Sequence, residues 1–198
     1  MMVKTKGMTL TVTVDNDPPS AQDECFDIGH LLTWHRNYEL GEKNPYRSPE
    51  DFYADEEMKD KIFVMLPVYM LDHSGLRFST SPSLFRAVDP QGFDYGQVGV
   101  IYAAKADVLR LYGNLSEETK QIVTQSLIDE ITAFDDYQTR QYYYYYIEDG
   151  EGEVVDTSGG YYGEGAADVL GAMRECAGSE YYPLFDKAME KPGMELGG

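Results

Sequence analysis

The alternation of apolar and polar positions predicts a strand near the start of the chain. Residues 9–14 read Thr-Leu-Thr-Val-Thr-Val, and a turn-forming Asp-Asn-Asp-Pro-Pro segment follows at 15–19. A continuous apolar run at 62–71 predicts a second strand that is buried on both faces, with a bulge or a sheet edge at Pro67. Residues 75–80 are the expected hairpin partner of this second strand.

Three more segments have the composition of strands. Residues 97–102 predict a third central strand. The tyrosine-rich residues 142–147 predict another, which the turn at 149–152 leads back into an acidic return strand at 153–157. A short helical or extended piece is expected around 28–38, within a long loop.

Apolar residues at helical spacing predict four helices. The clearest covers 116–136 and carries Val123, Leu127, Ile131 and Phe134 on one face, with carboxylates on the other. The other three are expected at 49–60, 103–112 and 166–176.

This order of elements predicts an α+β fold. Strands and helices follow each other without regular β-α-β alternation, which is typical of a mainly antiparallel sheet with three to four helices packed on it. Residues 1–163 are expected to form a single α+β domain, and residues 164–198 a C-terminal helix followed by a weakly ordered tail.

Composition places the chain among globular proteins. Apolar residues make up 42% of its 198 residues, and 17 tyrosines suit half-buried strand faces or contact surfaces. Cys25 and Cys176 lie far apart without zinc or redox spacing, so two reduced thiols are expected. We expect a cytoplasmic protein without membrane contact, because neither a signal peptide nor a bilayer-spanning run is visible.

Charge narrows the class of partner. The chain has 35 acidic and 16 basic residues, a net charge of −19, of which residues 115–198 contribute −13. Such a surface repels nucleic-acid backbones and attracts basic surfaces, including those of proteins that bind nucleic acid. No phosphate-binding loop, dinucleotide fingerprint or basic patch is present, so direct nucleic-acid binding is not expected.

The carboxylates of the acidic half concentrate on one helix and one hairpin, next to tyrosines. We expect these residues to form a partner-binding surface in which carboxylates stand in for phosphates. They are Asp129, Glu130, Asp135, Asp136, Tyr143, Tyr145, Glu148, Asp149, Glu151, Glu153 and Asp156.

Two polar groups invite a chemical interpretation. Asp72, His73 and Ser74 have the residue types of a hydrolytic triad, but neighbouring residues point in different directions, which argues against a hydrogen-bonded line. His30 and His35 are spaced by five rather than four, which is unlike a helical metal pair. We therefore expect no metal and no cofactor, and a protein that is not an enzyme.

Three blocks of sequence resemble one family. They begin Asp27-Ile28-Gly29-His30, Pro67-Val68-Tyr69-Met70 and Asp94-Tyr95-Gly96-Gln97, and are similar in this order to small acidic proteins encoded by phages and mobile elements, mainly of Firmicutes. The resemblance covers about residues 9–163. The segment 83–93 is longer here than in that family, and beyond Gly163 the family offers no pattern.

The resemblance implies a genetic setting and not a mechanism, because the family has no established activity. It also groups, as one possible ligand pocket, the recognisable polar positions His35, Asp72, His73, Ser74 and Gln97.

These observations favour a phage accessory protein that inhibits a host defence system in the host-cell cytoplasm. It would be an anti-CRISPR or antirestriction protein that binds a basic host protein, such as a CRISPR effector or restriction enzyme, through an acidic, DNA-mimicking surface. One alternative is a small-ligand-binding protein or hydrolase that uses the five polar positions. A second is a virion or housekeeping protein whose charge serves solubility only.

Overall fold

The strands form two separate four-stranded sheets, each in its own compact unit. In the computed structural model, residues 1–73, 75–190 and 196 are described. Unit 1 combines Met1–Pro19 with Arg140–Gly198, and unit 2 is Ser20–Thr139. Unit 2 therefore interrupts unit 1 in the chain.

The elements of unit 1 are β1 (Met2–Thr5), β2 (Met8–Val14), β7 (Tyr143–Glu148), β8 (Val154–Tyr161), α7 (Ala166–Cys176), a 3-10 turn (Ser179–Tyr181) and α8 (Tyr182–Met189). Those of unit 2 are α1 (Ala21–Cys25), β3 (Gly29–Thr33), α2 (Pro49–Ala54), α3 (Glu56–Lys61), β4 (Ile62–Asp72), β5 (Leu76–Ser79), α4 (Ser83–Arg86), β6 (Tyr95–Ala104), α5 (Lys105–Tyr112) and α6 (Glu117–Thr139).

Unit 1 is an antiparallel sheet of order β1-β2-β7-β8, covered on one face by α7 and α8. The alternation predicted at 9–14 is confirmed, since Leu10 and Val12 enter the core while the alternating threonines at 9, 11 and 13 do not. Leu10 pairs with Ile147 and Val12 with Tyr145, so β7 presents its own buried residues on the same face.

Unit 2 is an antiparallel sheet of order β3-β6-β4-β5. Helix α6 lies on one face and buries the predicted stripe of Val123, Leu127, Ile131 and Phe134. On that face the stripe belongs to the same apolar cluster as residues of β4, β5 and β6. A smaller aromatic cluster around Phe52 packs on other residues of β3 and β6. The long α6 thus forms the main support of this unit.

Pro67 occupies a local edge of the sheet, as its chemistry requires. In the described part of the chain, β5 pairs with β4 only from Tyr69 to Asp72, so beside Pro67 the one paired strand is β6, through Val100. The ladder shifts register between Val68 and Tyr69, which confirms the predicted irregularity.

The α+β class is confirmed, with two antiparallel sheets where one was expected. The helix expected at 49–60 is divided at Asp55, whose carboxylate accepts the Met58 N–H at 3.0 Å and begins α3. Strand β1 had no prediction. No helix of the described residues is long and apolar enough to cross a bilayer.

The division into units also differs from the one expected. Strand β8 and helix α7 lie together in unit 1, on either side of the boundary that was expected at residue 163. The expected weakly ordered tail contains α8, which buries Leu184 and Phe185 in the core of unit 1. Residues 191–195, 197 and 198 of that tail lie outside the described residues.

Candidate functional site

Glu130 is a structural residue and not part of an exposed surface. Its side chain is buried beneath the segment before β3 and accepts the backbone N–H groups of Asp27, Ile28 and Gly29 at 2.9–3.2 Å. Burial raises the pKa of Glu130, although the three N–H bonds act in the opposite direction. The expected role of Glu130 in partner binding is wrong, because its carboxylate is buried and hydrogen-bonded to the backbone inside unit 2.

Asp135 is likewise a buried carboxylate whose oxygens accept hydrogen bonds inside unit 2. It accepts two bonds from the Arg77 Nε and one from Nη2 at 2.7–3.0 Å, and it accepts the Phe78 N–H at 2.6 Å. These bonds tie α6 to the edge strand β5. Asp135 is 7% exposed, so its expected place on a partner-binding surface is also wrong.

Tyr145, in unit 1, is the third residue whose expected place on a partner-binding surface is wrong. Its ring is in the core, edge-on to Phe185 at 5.2 Å, and its hydroxyl donates to Asp156 at 3.2 Å. Burial, with the nearby Asp156 charge, raises the pKa of Tyr145.

Asp149 closes the β7–β8 turn by accepting the N–H groups of Glu151 and Glu153 at 2.8 and 3.1 Å.

The other expected contact residues remain accessible, but they belong to two units. Asp129 and Asp136 are exposed on α6 in unit 2. Glu151 and Glu153 are exposed at the hairpin of unit 1, where Tyr143, Glu148 and Asp156 are half-buried. An open cleft of about 700 Å³ beside this hairpin is also lined by two basic residues, Lys4 of β1 and Lys6 of the β1–β2 turn.

The acidic excess is shared between the two units. Unit 1 has 14 acidic and 6 basic residues, a net charge of −8, and unit 2 has 21 and 10, a net charge of −11. The concentration of acid in the second half of the sequence therefore does not correspond to one structural unit, because α6 contributes to unit 2 and the hairpin to unit 1.

The structure describes four of the five polar positions of the expected ligand pocket, and it does not bring these four into one cleft. His35 stacks on Tyr38 at 4.9 Å, and the Tyr38 hydroxyl donates weakly to Asp72 at 3.4 Å. His73 is exposed and pairs with Asp94 at 2.9 Å. Gln97 donates to the Gly99 carbonyl at 3.2 Å. Ser74 lies outside the described residues.

His35 and Gln97 line different clefts. The cleft of His35, about 570 Å³, is formed by the loop after β3. The cleft of Gln97, about 310 Å³, is lined by Trp34, Tyr53 and Pro49. Among the described residues, His35 and Gln97 therefore do not share a cleft.

His30 forms a polar cluster with two carboxylates, and sequence reasoning missed it. Its Nδ1 lies 2.7 Å from Glu42, its Nε2 lies 3.2 Å from Asp107, and its ring stacks on Tyr102 at 5.1 Å. Burial lowers the pKa of His30, but the hydrogen bonds to Asp107 and Glu42 outweigh this and raise it overall. The hydrogen bond between His30 and Asp107 lowers the pKa of Asp107.

This cluster does not resemble a metal centre. The two ring nitrogens of His30 face different carboxylates on opposite sides of the imidazole, so they do not converge on one ion. Among the described residues, no group of three or more His, Cys, Asp or Glu side chains has an arrangement suited to a metal. The cluster instead joins β3 to the following loop and to α5.

A groove with a volume of about 720 Å³ lies between α5 and α6 in unit 2. Helix α5 contributes Arg110, Leu111 and Tyr112 at its C-terminal end. Helix α6 contributes Asp129 and the buried Glu130. The groove therefore combines apolar side chains with carboxylates.

Comparisons of the chain with protein-family models, curated proteins and solved structures found no match.

Proposed function

We propose that this protein binds a basic, nucleic-acid-binding protein and blocks its access to nucleic acid. The observation that carries the proposal is the charge of each unit. Both units are separately acidic, at −8 and −11, and both keep exposed carboxylates after the structural ones are set aside. A charge of this density attracts cationic surfaces and disfavours compactness through self-repulsion, so a binding role gives it a use.

The proposal favours competition with nucleic acid over catalysis. Carboxylates on a protein surface are attracted to the same lysine and arginine side chains that neutralise phosphates. Of the polar positions offered for a small-ligand or hydrolytic function, His35 and Gln97 line separate clefts, which leaves that alternative with less support.

The resemblance to phage-encoded proteins favours a component of host defence as the partner. A CRISPR effector or a restriction enzyme presents a basic groove to DNA, which is the surface that an acidic protein would occupy. The protein would then act as an anti-CRISPR or antirestriction factor in the host cytoplasm.

The test is displacement of DNA from purified enzymes of these two kinds. A fluorescent duplex is bound to each enzyme, and its anisotropy is followed as the acidic protein is added at about 50 mM and about 300 mM salt. We expect displacement at the lower salt concentration and an apparent affinity at least about tenfold weaker at the higher one. If no enzyme of the panel releases its DNA at the lower salt concentration, the proposal is wrong.

Charge-reversed variants separate local contact from general attraction. Glu151→Lys with Glu153→Lys changes exposed hairpin carboxylates of unit 1. The matched control is Glu56→Lys with Glu57→Lys, which makes the same change in net charge at carboxylates that pair with Lys59 and Lys61 on α3. If net charge alone governs binding, both double variants weaken displacement equally, which contradicts a defined contact surface.

A further inference from the structure

We propose that the groove between α5 and α6 is where the basic partner docks. Its occupant would be an amphipathic segment that places apolar side chains in the groove and arginine or lysine side chains at its carboxylates. This inference rests on the proposed function and adds to it the surface and the partner chemistry.

The groove has walls on helices and a buried floor. One wall is the C-terminal end of α5, and the other includes Ser126 and Asp129 of α6. The floor includes Ile28 and Glu130, which are held together by the bond from the Ile28 N–H to Glu130 at 3.0 Å. Helical walls and a hydrogen-bonded floor give a preformed surface, which reduces the ordering cost of binding.

Large apolar side chains are concentrated here in exposed positions. Five of them, between 36% and 50% exposed, fall within residues 109–122, where α5 ends and α6 begins. They are Leu109, Leu111, Tyr112, Leu115 and Ile122, of which Leu111 and Tyr112 line the groove itself. Single exposed apolar residues are ordinary, but several within one short stretch of chain that borders a groove are typical of an interaction surface. An amphipathic helix is a common occupant of such a groove.

The charged groups select a cationic occupant. Asp27 and Asp129 are exposed carboxylates of the groove, and the described residues give the Asp27 side chain no ion-pair partner. Arg110 also lines the groove, but its guanidinium pairs with Asp107 at 3.2 Å. Glu130 already accepts three N–H bonds, so it shapes the floor rather than binding the partner.

Charge also argues against a second copy of this chain as the occupant. Two copies that met through this groove would bring Asp27 and Asp129 of each against an equally acidic unit of net charge −11. Like charges at an interface are repulsive unless cations separate them. A basic partner supplies those cations directly.

The first test uses the DNA-displacement assay with groove variants and matched controls. Leu111→Ser removes an apolar contact and Asp129→Lys reverses a carboxylate. Their controls are Leu84→Ser on α4, which is 67% exposed, and Glu57→Lys on α3, whose carboxylate is exposed and does not line the groove. We expect each groove variant to weaken displacement about tenfold or more and each control less than about threefold, with unchanged circular dichroism. Groove variants that displace DNA as well as the wild type would overturn the inference while leaving the proposed function intact.

The second test examines the groove without any host enzyme. The probe is a synthetic 18-residue helical peptide with leucines on one face and arginines on the other, and its control carries glutamate in place of arginine. Amide chemical shifts of the whole protein are followed during titration. We expect changes concentrated in residues 109–130 with the arginine peptide and none with the glutamate peptide. Equal binding of both peptides, changes elsewhere, or concentration-dependent self-association through the groove would each contradict the inference.

Discussion

Glu130→Ala should destabilise unit 2 strongly although it removes a single carboxylate. The side chain accepts three consecutive backbone N–H groups, from Asp27, Ile28 and Gly29, and the last two of these bonds are buried. Alanine is too short to replace either oxygen, and its excellent helix propensity keeps α6 itself intact. The change therefore tests the anchoring of the segment that leads into β3.

The magnitude follows from the two buried N–H groups. A buried donor left without an acceptor costs about 1–3 kcal/mol, so two of them cost about 2–6 kcal/mol. Part of this is offset, because the buried carboxylate is itself unfavourable, as its raised pKa indicates. We expect a net loss of about 3 kcal/mol, and about half of that for Glu130→Gln, which keeps one oxygen.

Urea unfolding followed by tryptophan fluorescence measures this loss. Trp34 is the only tryptophan of the chain and lies in unit 2, so the signal reports the unit that is perturbed. Asp129→Ala, at the exposed neighbouring position, is the control and should change the free energy of unfolding by less than about 0.5 kcal/mol. If Glu130→Ala stays as close to the wild type as this control, the anchoring role of the carboxylate is refuted.

Three further predictions concern other residues. Because its hydrogen-bonded carboxylates raise the pKa of His30 above 6.5, protonated His30 stabilises the fold fully below pH 6.5, and this contribution disappears as the pH rises through the folded-state pKa. The urea midpoint should therefore fall over that range, and His30→Gln should flatten its pH dependence; an unchanged slope would contradict the assignment. Gly99→Ala should cost about 2 kcal/mol or more in the same urea assay, because a Cβ there would collide with the Leu32 carbonyl of β3, and a stable variant would show that the strands separate easily. A thiol reagent should modify exposed Cys176 rapidly and buried Cys25 only after denaturation, and two fast thiols would contradict that burial.

The sequence predicts the individual helices and strands better than it predicts which elements contact each other in the fold. The stripe of Val123, Leu127, Ile131 and Phe134 is a local pattern, so α6 could be identified without knowing what it covers. The alternation in β2 likewise shows which residues face inward, but nothing local indicates that Val14 will pair with Tyr143 across all of unit 2. Two sheets instead of one therefore could not be derived from periodicity.

The helical positions of Glu130 and Asp135 indicate burial, whereas their acidic side chains favour exposure. Position 130 lies three residues after Leu127 and four before Phe134, and position 135 lies four after Ile131, so both fall on the buried side of α6. Their acidic character favoured exposure, and the compensating N–H donors come from distant segments.

The His30 cluster had no comparable signal. Its carboxylate partners, Glu42 and Asp107, belong to a loop and to a helix that the sheet brings together only after folding. Long-range pairing of this kind leaves no periodic trace in a single sequence.

The interruption of unit 1 by unit 2 has a consequence for synthesis on the ribosome. Strands β1 and β2 emerge first, but β2 has an exposed edge until β7 has been translated, because β7 is its neighbour in the finished sheet. Unit 2 is continuous in the chain, and all its strands precede Arg140, so its strand pairs need nothing that is translated later. The β1–β2 hairpin therefore keeps one unpaired edge, on β2, while unit 2 is translated. It becomes part of the four-stranded sheet only after β7 and β8 have followed.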